Sequence, residues 1–290
     1  MILSLMIYTI FFQRRDKMKK FKFLGLVMAC ILSVSMIAGC GNAAGGNTDA
    51  ESASGEKTTF TVGFDAEFPP YGYMDDNGDY TGFDLELAEE VCNRNGWTLV
   101  KQPIDWDAKD AELNSGTIDC IWNGFTINGR EDQYTFTEPY VDNSQVVIVM
   151  DENIKGLADL EGKNVGVQKD SSALAALEGD RADVAETFGT LTQYGDYNTA
   201  FMDLQQGVLD AVCIDIGVAN DLVGQNDGGF FILDEQLSSE QYGVGFKLGN
   251  EELRDTVQAT LNEMAEDGTL DTIAQKYADY GIPESVCLGK

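Results

Sequence analysis

The chain has 290 residues, 43% of them hydrophobic, enough for one large domain or for two lobes with ordinary cores. It carries 49 acidic residues against 19 basic ones, and the net charge of −30 argues against nucleic acid and against lying flat on an anionic membrane, where like charges would meet. No histidine occurs, which removes the commonest general base, every triad that needs imidazole and most catalytic zinc sites.

Residues 19–40 read as a secretory signal, with Lys19, Lys20 and Lys22 as a basic start, an apolar core over 23–37, and Ile37-Ala38-Gly39-Cys40 as a close of small residues before a cysteine. A retained transmembrane helix is the alternative, and the apolar core is short for a span. Met18 opens this signal unaided. Residues 1–17 only add a second apolar patch and the pair Arg14-Arg15, so the true start is expected at Met18 and the signal to end at 39. Residues 42–57 are small, polar and acidic without apolar periodicity, and 40–57 are expected to form a flexible tether. Beyond them Cys92, Cys120, Cys213 and Cys287 form no CxxC spacing, so no metal cluster is expected; an exported chain admits disulfides and free thiols alike.

Residues 59–65 alternate, with Phe60, Val62 and Phe64 on one face, and predict a strand. Pro69 and Pro70 then predict a rigid non-helical loop, and Asp76-Asn77-Gly78-Asp79 a turn. Residues 83–95 place Leu87, Ala88, Val91 and Cys92 on one helical face, stopping at Gly96. A short strand over 97–100, a helix from 105 to Gly116 and a buried strand over 117–122 follow. The apolar run behind Gln145, over 145–150, is a candidate crossing between lobes. A second alternation at 164–167 leads into Asp170-Ser171-Ser172 and helix formers over 173–177, a good N-cap arrangement. A further helix ends at Gly207, a strand over 208–214 terminates at Asp215, and strands are expected at 230–233 and 242–246. Leu253, Val257, Leu261 and Met264 make one helical stripe, and Leu270, Ile273, Ala274 and Tyr277 another. Strands alternating with helices predict an α/β fold with mainly parallel sheets.

A repeat underlies this order. Residues 112–120 (Glu-Leu-Asn-Ser-Gly-Thr-Ile-Asp-Cys) align without a gap with 203–211 (Asp-Leu-Gln-Gln-Gly-Val-Leu-Asp-Ala), and Val62-Gly63 matches Val165-Gly166. Two similar lobes follow, each with a helix, a closing glycine and a strand. The expected division is 58–145 plus 243–290 for one lobe and 146–242 for the other. In open α/β sheets ligands gather beyond the carboxyl ends of strands. Those ends carry 65–71 and 123–130 in one lobe, and 168–172 and Asp215 in the other. Among them Arg130 is notable, because arginine is scarce here and its planar fork of donors suits a carboxylate. The competing reading is a surface arginine that balances Glu131 or Asp132.

Taken together, Val62-Gly63-x-Asp65-x-x-Phe68-x-Pro70, Gly82-Phe83-Asp84-x-Glu86-Leu87, Gly124-Phe125-Thr126-Ile127 with Arg130, and Glu138-Pro139-Tyr140 resemble the amino-acid-binding branch of the bacterial extracellular solute-binding proteins, the receptors of ABC importers. Gly162-Lys163-x-Val165-Gly166-Val167, Gly207-x-Leu209-Asp210-Ala211 and Gly268-Thr269-Leu270 continue the resemblance, which runs from about residue 58 to the C-terminus. It implies a two-lobed clamp of the periplasmic-binding-protein type II fold, joined by a two-strand hinge that closes on one free amino acid. By position, Arg130 would hold the ligand α-carboxylate with help from Ser171 and Ser172. Asp215 would take the α-ammonium together with Thr126 and the carbonyl near Gly124. Phe68 and Trp106 would wall the side-chain pocket, and Gln168 and Asn123 would touch its polar end. For several of these a plainer role competes: a helix cap for Asp215, Ser171 and Ser172, and core packing for Phe68 and Trp106.

The loop Asn128-Gly129 is one residue shorter than the family's usual loop, which bears on the reach of Arg130. The close at Cys40 resembles the lipobox of bacterial lipoproteins, which implies cleavage before that cysteine and a lipid anchor on it. The expected partners are therefore an amino acid, ABC permease subunits and the membrane through Cys40, with no nucleic acid, no cofactor and no metal, in a monomer. An enzyme on the same fold, like cyclohexadienyl dehydratase, and a sensory module are the alternatives.

Overall fold

The computed structural model describes residues 58–226 and 228–290. The signal segment, Cys40 and the tether lie outside them.

Strand β1 (Thr59–Phe64) buries Phe60, Val62 and Phe64 as their alternation dictates. The proline loop and the turn after Asp75 form as expected, and they join the strands of a small antiparallel meander, β2 (Glu67–Phe68), β3 (Gly72–Met74) and β4 (Tyr80–Thr81). Helix α1 (Phe83–Asn95) turns Leu87, Ala88, Val91 and Cys92 inward. It stops at Gly96, whose φ of 69° lets the Trp97 N–H donate back to the Cys92 carbonyl at 2.9 Å. Strand β5 (Thr98–Pro103), helix α2 (Lys109–Ser115) behind a 3-10 turn at Trp106–Ala108, and strand β6 (Cys120–Ile121) follow; β5 and β6 both run parallel to β1. Strand β7 (Tyr134–Phe136) lies at the far edge of this sheet.

The chain then enters a second sheet as β8 (Val141–Val149), so the polar stretch ahead of the apolar run is already part of that strand. The second sheet adds β9 (Asn164–Gln168), then helices α3 (Ser172–Glu178) and α4 (Ala182–Ala185), β10 (Thr190–Tyr194), α5 (Tyr197–Gln205), β11 (Ala211–Asp215) and α6 (Ile216–Gly224). Strands β12 (Phe231–Ile232) and β13 (Ser238–Tyr242) pair antiparallel with β8. The chain returns to the first sheet as β14 (Gly245–Lys247) and ends in α7 (Glu251–Glu266), α8 (Thr269–Ala274) and α9 (Ile282–Ser285). The single strand expected over 242–246 is thus two strands, split at Gly243-Val244 where the chain passes between sheets.

The two sheets trace one path twice. Their orders are β5-β1-β6-β14-β7 and β10-β9-β11-β8-β12, with three parallel strands followed by an antiparallel one in each. The sequence repeat has a packing cause. A Cβ on Gly63 would stand 2.4 Å from Ile118 Cδ1, and one on Gly166 would stand 2.5 Å from Leu209 Cδ1. Ile118 and Leu209 are partners in the repeat, so each lobe needs a glycine in its central strand under the same branched side chain.

Two segments link the sheets and bond to each other. Tyr140 N–H donates to the Tyr242 carbonyl at 3.0 Å, and Thr137 N–H to the Val244 carbonyl at 3.1 Å. A single buried cluster runs through this junction, from Phe60 and Val62 past Tyr140 and Tyr242 to Val212 and Ile214. Among the described residues no disulfide joins Cys92, Cys120, Cys213 or Cys287.

Candidate ligand-binding site

All ten residues singled out in the sequence, Phe68, Trp106, Asn123, Gly124, Thr126, Arg130, Gln168, Ser171, Ser172 and Asp215, line one narrow pocket. Each sheet supplies strand ends: β1 and β6 from one side, β9 and β11 from the other.

The segment after β6 is held from behind by Asp84, at the start of α1. Its Oδ2 accepts the Gly124 N–H at 2.6 Å and the Tyr140 hydroxyl at 2.8 Å. Asp84 is fully buried, and that burial raises its pKa to about 7 against these two lowering bonds. Gly124 has φ 58°, and a Cβ there would stand 2.7 Å from Phe68 Cε1, so the aromatic wall rests directly on this backbone. Phe68 in turn lies 6.0 Å from the Tyr197 ring and 5.6 Å from Tyr71. Trp106 meets Phe125 edge-on at 5.7 Å.

The compact Asn128-Gly129 turn brings Arg130 to the cavity. Gly129 takes φ 79° and the Arg130 N–H closes the turn onto the Ile127 carbonyl at 2.9 Å. The guanidinium lies 5.1 Å from the Phe125 ring centroid and donates to the Thr126 carbonyl at 3.2 Å and, from the opposite lobe, the Asp170 carbonyl at 3.4 Å. Among the described residues no ion pair joins it to Glu131 or Asp132.

Asp215 occupies the N-cap position of α6 yet makes no side-chain cap. Its carboxylate is turned away from the helix: Oδ1 accepts from Gln145 Nε2 at 2.5 Å, the Tyr242 hydroxyl at 2.5 Å and Asn143 Nδ2 at 2.9 Å, and Oδ2 from the Tyr197 hydroxyl at 3.3 Å. Burial raises its pKa to about 7, with the neighbouring Glu240 charge adding to the effect. Ser171 is the cap of α3, accepting from the Leu174 N–H at 3.1 Å. The Ser172 hydroxyl instead joins Gln145 Nε2 at 2.8 Å and Glu240 Oε1 at 3.1 Å. Gln168 donates to Asp65 Oδ2 at 2.8 Å and to the Gly195 carbonyl at 3.2 Å, while Asn123 Oδ1 accepts the Asp65 N–H at 3.0 Å. Burial raises Asp65 to about 6.

Several site groups carry no local sequence signal. Glu240, Asn143 and Gln145 meet because β8 lies between β11 and β13, with Asp215 opposite Gln145 and Glu240 opposite Asn143. The one hint was two polar residues at alternating positions ahead of an apolar strand. Lys109, almost wholly buried, extends 5.2 Å from the Trp106 ring and pairs with Asp170 across the cleft at 3.3 Å; burial lowers its pKa. Its position facing the other lobe was not readable from the helix pattern.

The model of the family described as bacterial extracellular solute-binding proteins, family 3, matches residues 60–280. The chain belongs to this family. It is an extracytoplasmic solute-binding protein, and its relatives are binding proteins rather than enzymes. The L-cystine-binding protein TcyJ of Escherichia coli (strain K12) is 32% identical over 77% of this chain and 83% of its own length. A substrate-binding protein of an ABC uptake transporter from Streptococcus pneumoniae, solved with bound histidine, superposes with a TM-score of 0.73 at 32% identity, over 76% of this chain and 92% of that one. An ancestral arginine-binding protein bound to arginine does so with a TM-score of 0.71 at 36% identity, over 77% and 99%.

Proposed function

We propose that this solute-binding protein captures a free, polar amino acid between its lobes and hands it to the permease subunits of an ABC importer. The observation that carries this reading is the convergence of a guanidinium, a buried carboxylate and an aromatic wall, from two lobes, on one pocket. A zwitterion needs one fork of donors and one acceptor shielded from water, and Arg130 and Asp215 supply them. Ser171, Ser172, Thr126 and Gly124 complete the polar lining, with Phe68 and Trp106 as apolar walls. Gln168 spends its amide hydrogens on Asp65 and Gly195, so it offers the ligand an acceptor, which favours a side chain with donors. The relatives named above take cystine, histidine and arginine, all polar.

In this reading residues 58–140 with 243–290, and 141–242, are the two lobes of a monomeric clamp, the crossing expected at 145 falling instead at the start of β8, and Cys40 carries the lipid that anchors it. Growth with labelled palmitate should mark the wild-type chain and leave Cys40→Ala unlabelled. Isothermal titration with the standard amino acids and cystine tests the receptor reading: one-to-one heat with one or a few of them is expected, and heat with none would refute it.

A further inference from the structure

A second buried carboxylate stands beside Asp215. Glu240 is 6% exposed and its Oε1 accepts from Asn143 Nδ2 at 2.8 Å, Gln145 Nε2 at 2.8 Å, the Thr126 hydroxyl at 2.9 Å and the Ser172 hydroxyl at 3.1 Å. The same two amides therefore donate to both acids. They sit at alternate positions of β8, with Asp215 reached from β11 on one flank and Glu240 from β13 on the other. Two negative charges this close in a buried site repel strongly, and in such pairs one acid keeps a proton that the other's charge holds there.

We infer that Asp215 and Glu240 work as one proton-holding pair, in which Glu240 is a positioning residue that tunes Asp215 and steadies the Thr126 and Ser172 hydroxyls, and that capture of an ammonium group displaces the shared proton to solvent. One O–H bond of the pair breaks, the proton goes to water, and the ligand cation replaces it electrostatically. The first half of this inference concerns the ligand-free protein. The second half rests on the receptor reading.

The other groups that face the pair hold one protonation state through the neutral range. Tyr71, Tyr197 and Tyr242 have their hydroxyl pKa values driven well above 10 by burial, and burial pushes the Cys213 thiol up to about 12. Arg130 is a permanent cation. Asp84, beyond Tyr71, and Asp65, beside Gln168, also titrate near neutrality, so a comparison of variants is needed to single out the pair.

The test begins without ligand. Carboxyl carbon resonances of the ligand-free protein, with Asp215 assigned by its loss in Asp215→Asn, should show that acid titrating near 7. In Glu240→Gln the midpoint should fall by about one pH unit or more, because the neighbouring charge is gone. A midpoint that does not move overturns the inference, whether or not any amino acid binds. The second measurement uses unmodified protein and L-arginine and L-cystine as probes. Calorimetry in buffers of different ionisation enthalpy should record about one proton released at pH 6 and roughly a quarter of one at pH 7.5, where the probe's α-ammonium is still largely protonated. Affinity should fall roughly tenfold per pH unit below the midpoint. Binding with no proton release at pH 6 overturns the coupling. Absence of binding by any amino acid, with the midpoint shift intact, refutes the receptor reading and the displacement step while leaving the pair.

Discussion

Replacing Arg130 with alanine removes the fork on which capture of a carboxylate depends. Losing one partner of a buried charge pair costs about 2–5 kcal/mol. The structure points to the lower half of that range. The guanidinium is half-buried, its two carbonyl contacts are long at 3.2 and 3.4 Å, and part of its interaction is with the Phe125 face at 5.1 Å. A loss of about 2–3.5 kcal/mol corresponds to roughly 30- to 300-fold in Kd. Arg130→Lys keeps the charge but not the planar fork, so it should fall between wild type and alanine. The ligand-free fold should lose about 1 kcal/mol or less, since no ion pair among the described residues depends on this side chain. Titration calorimetry gives the affinity and a thermal melt checks the fold. An alanine variant that binds within about threefold of wild type would refute the reasoning, since a carboxylate clamp cannot lose its only fork at so little cost.

Buried acids should set the pH dependence of stability. A carboxyl whose folded pKa is raised, as at Asp84 from 3.8 to about 7, binds its proton more tightly in the fold, so its stabilisation is full at low pH and is lost as pH rises through about 7. The swing for Asp84 is roughly 4 kcal/mol at most. Melting temperature should fall from pH 5 to 8, and Asp84→Asn should flatten that fall; an equal fall in both would count against the assignment. Gly63→Ala drives a Cβ to 2.4 Å from Ile118 Cδ1 and should cost about 1–3 kcal/mol by denaturant melt. With Ile118→Val in the same chain the loss should be less than additive, and strict additivity would show that the contact is not the cause. Lys169 and Asp107 pair across the cleft at 2.5 Å but both are exposed, so Lys169→Ala should weaken ligand binding by no more than about fivefold and the effect should vanish in high salt.

The sequence exposed the lobes because their cause is local and repeated. A glycine under a branched side chain and a helix closing on glycine recur in both halves, at Gly63 with Ile118 and at Gly166 with Leu209. Nine of the ten pocket residues lie on strand ends that alternation and glycine stops marked, whereas Trp106 and the role of each residue came only from the family resemblance. Glu240 was not legible, since it sits in a polar strand with no apolar alternation and reaches the cavity only through its register with β8, 97 residues away from Asn143. The small meander at residues 67–81 escaped for a related reason: its strands are two or three residues long, too short for any period to show. Asp215 sat where a cap belongs, and only tertiary contacts with Gln145 and Tyr242 turned its carboxylate inward.

The most direct test of the central claim is the identity of what the protein carries. Denaturing freshly purified wild-type protein and analysing the released small molecules by mass spectrometry should yield one free α-amino acid with a polar side chain, close to one per chain, and the same preparation of Arg130→Ala should yield little or none. Release of a compound without an α-amino acid group, or equal yields from both proteins, would contradict the account.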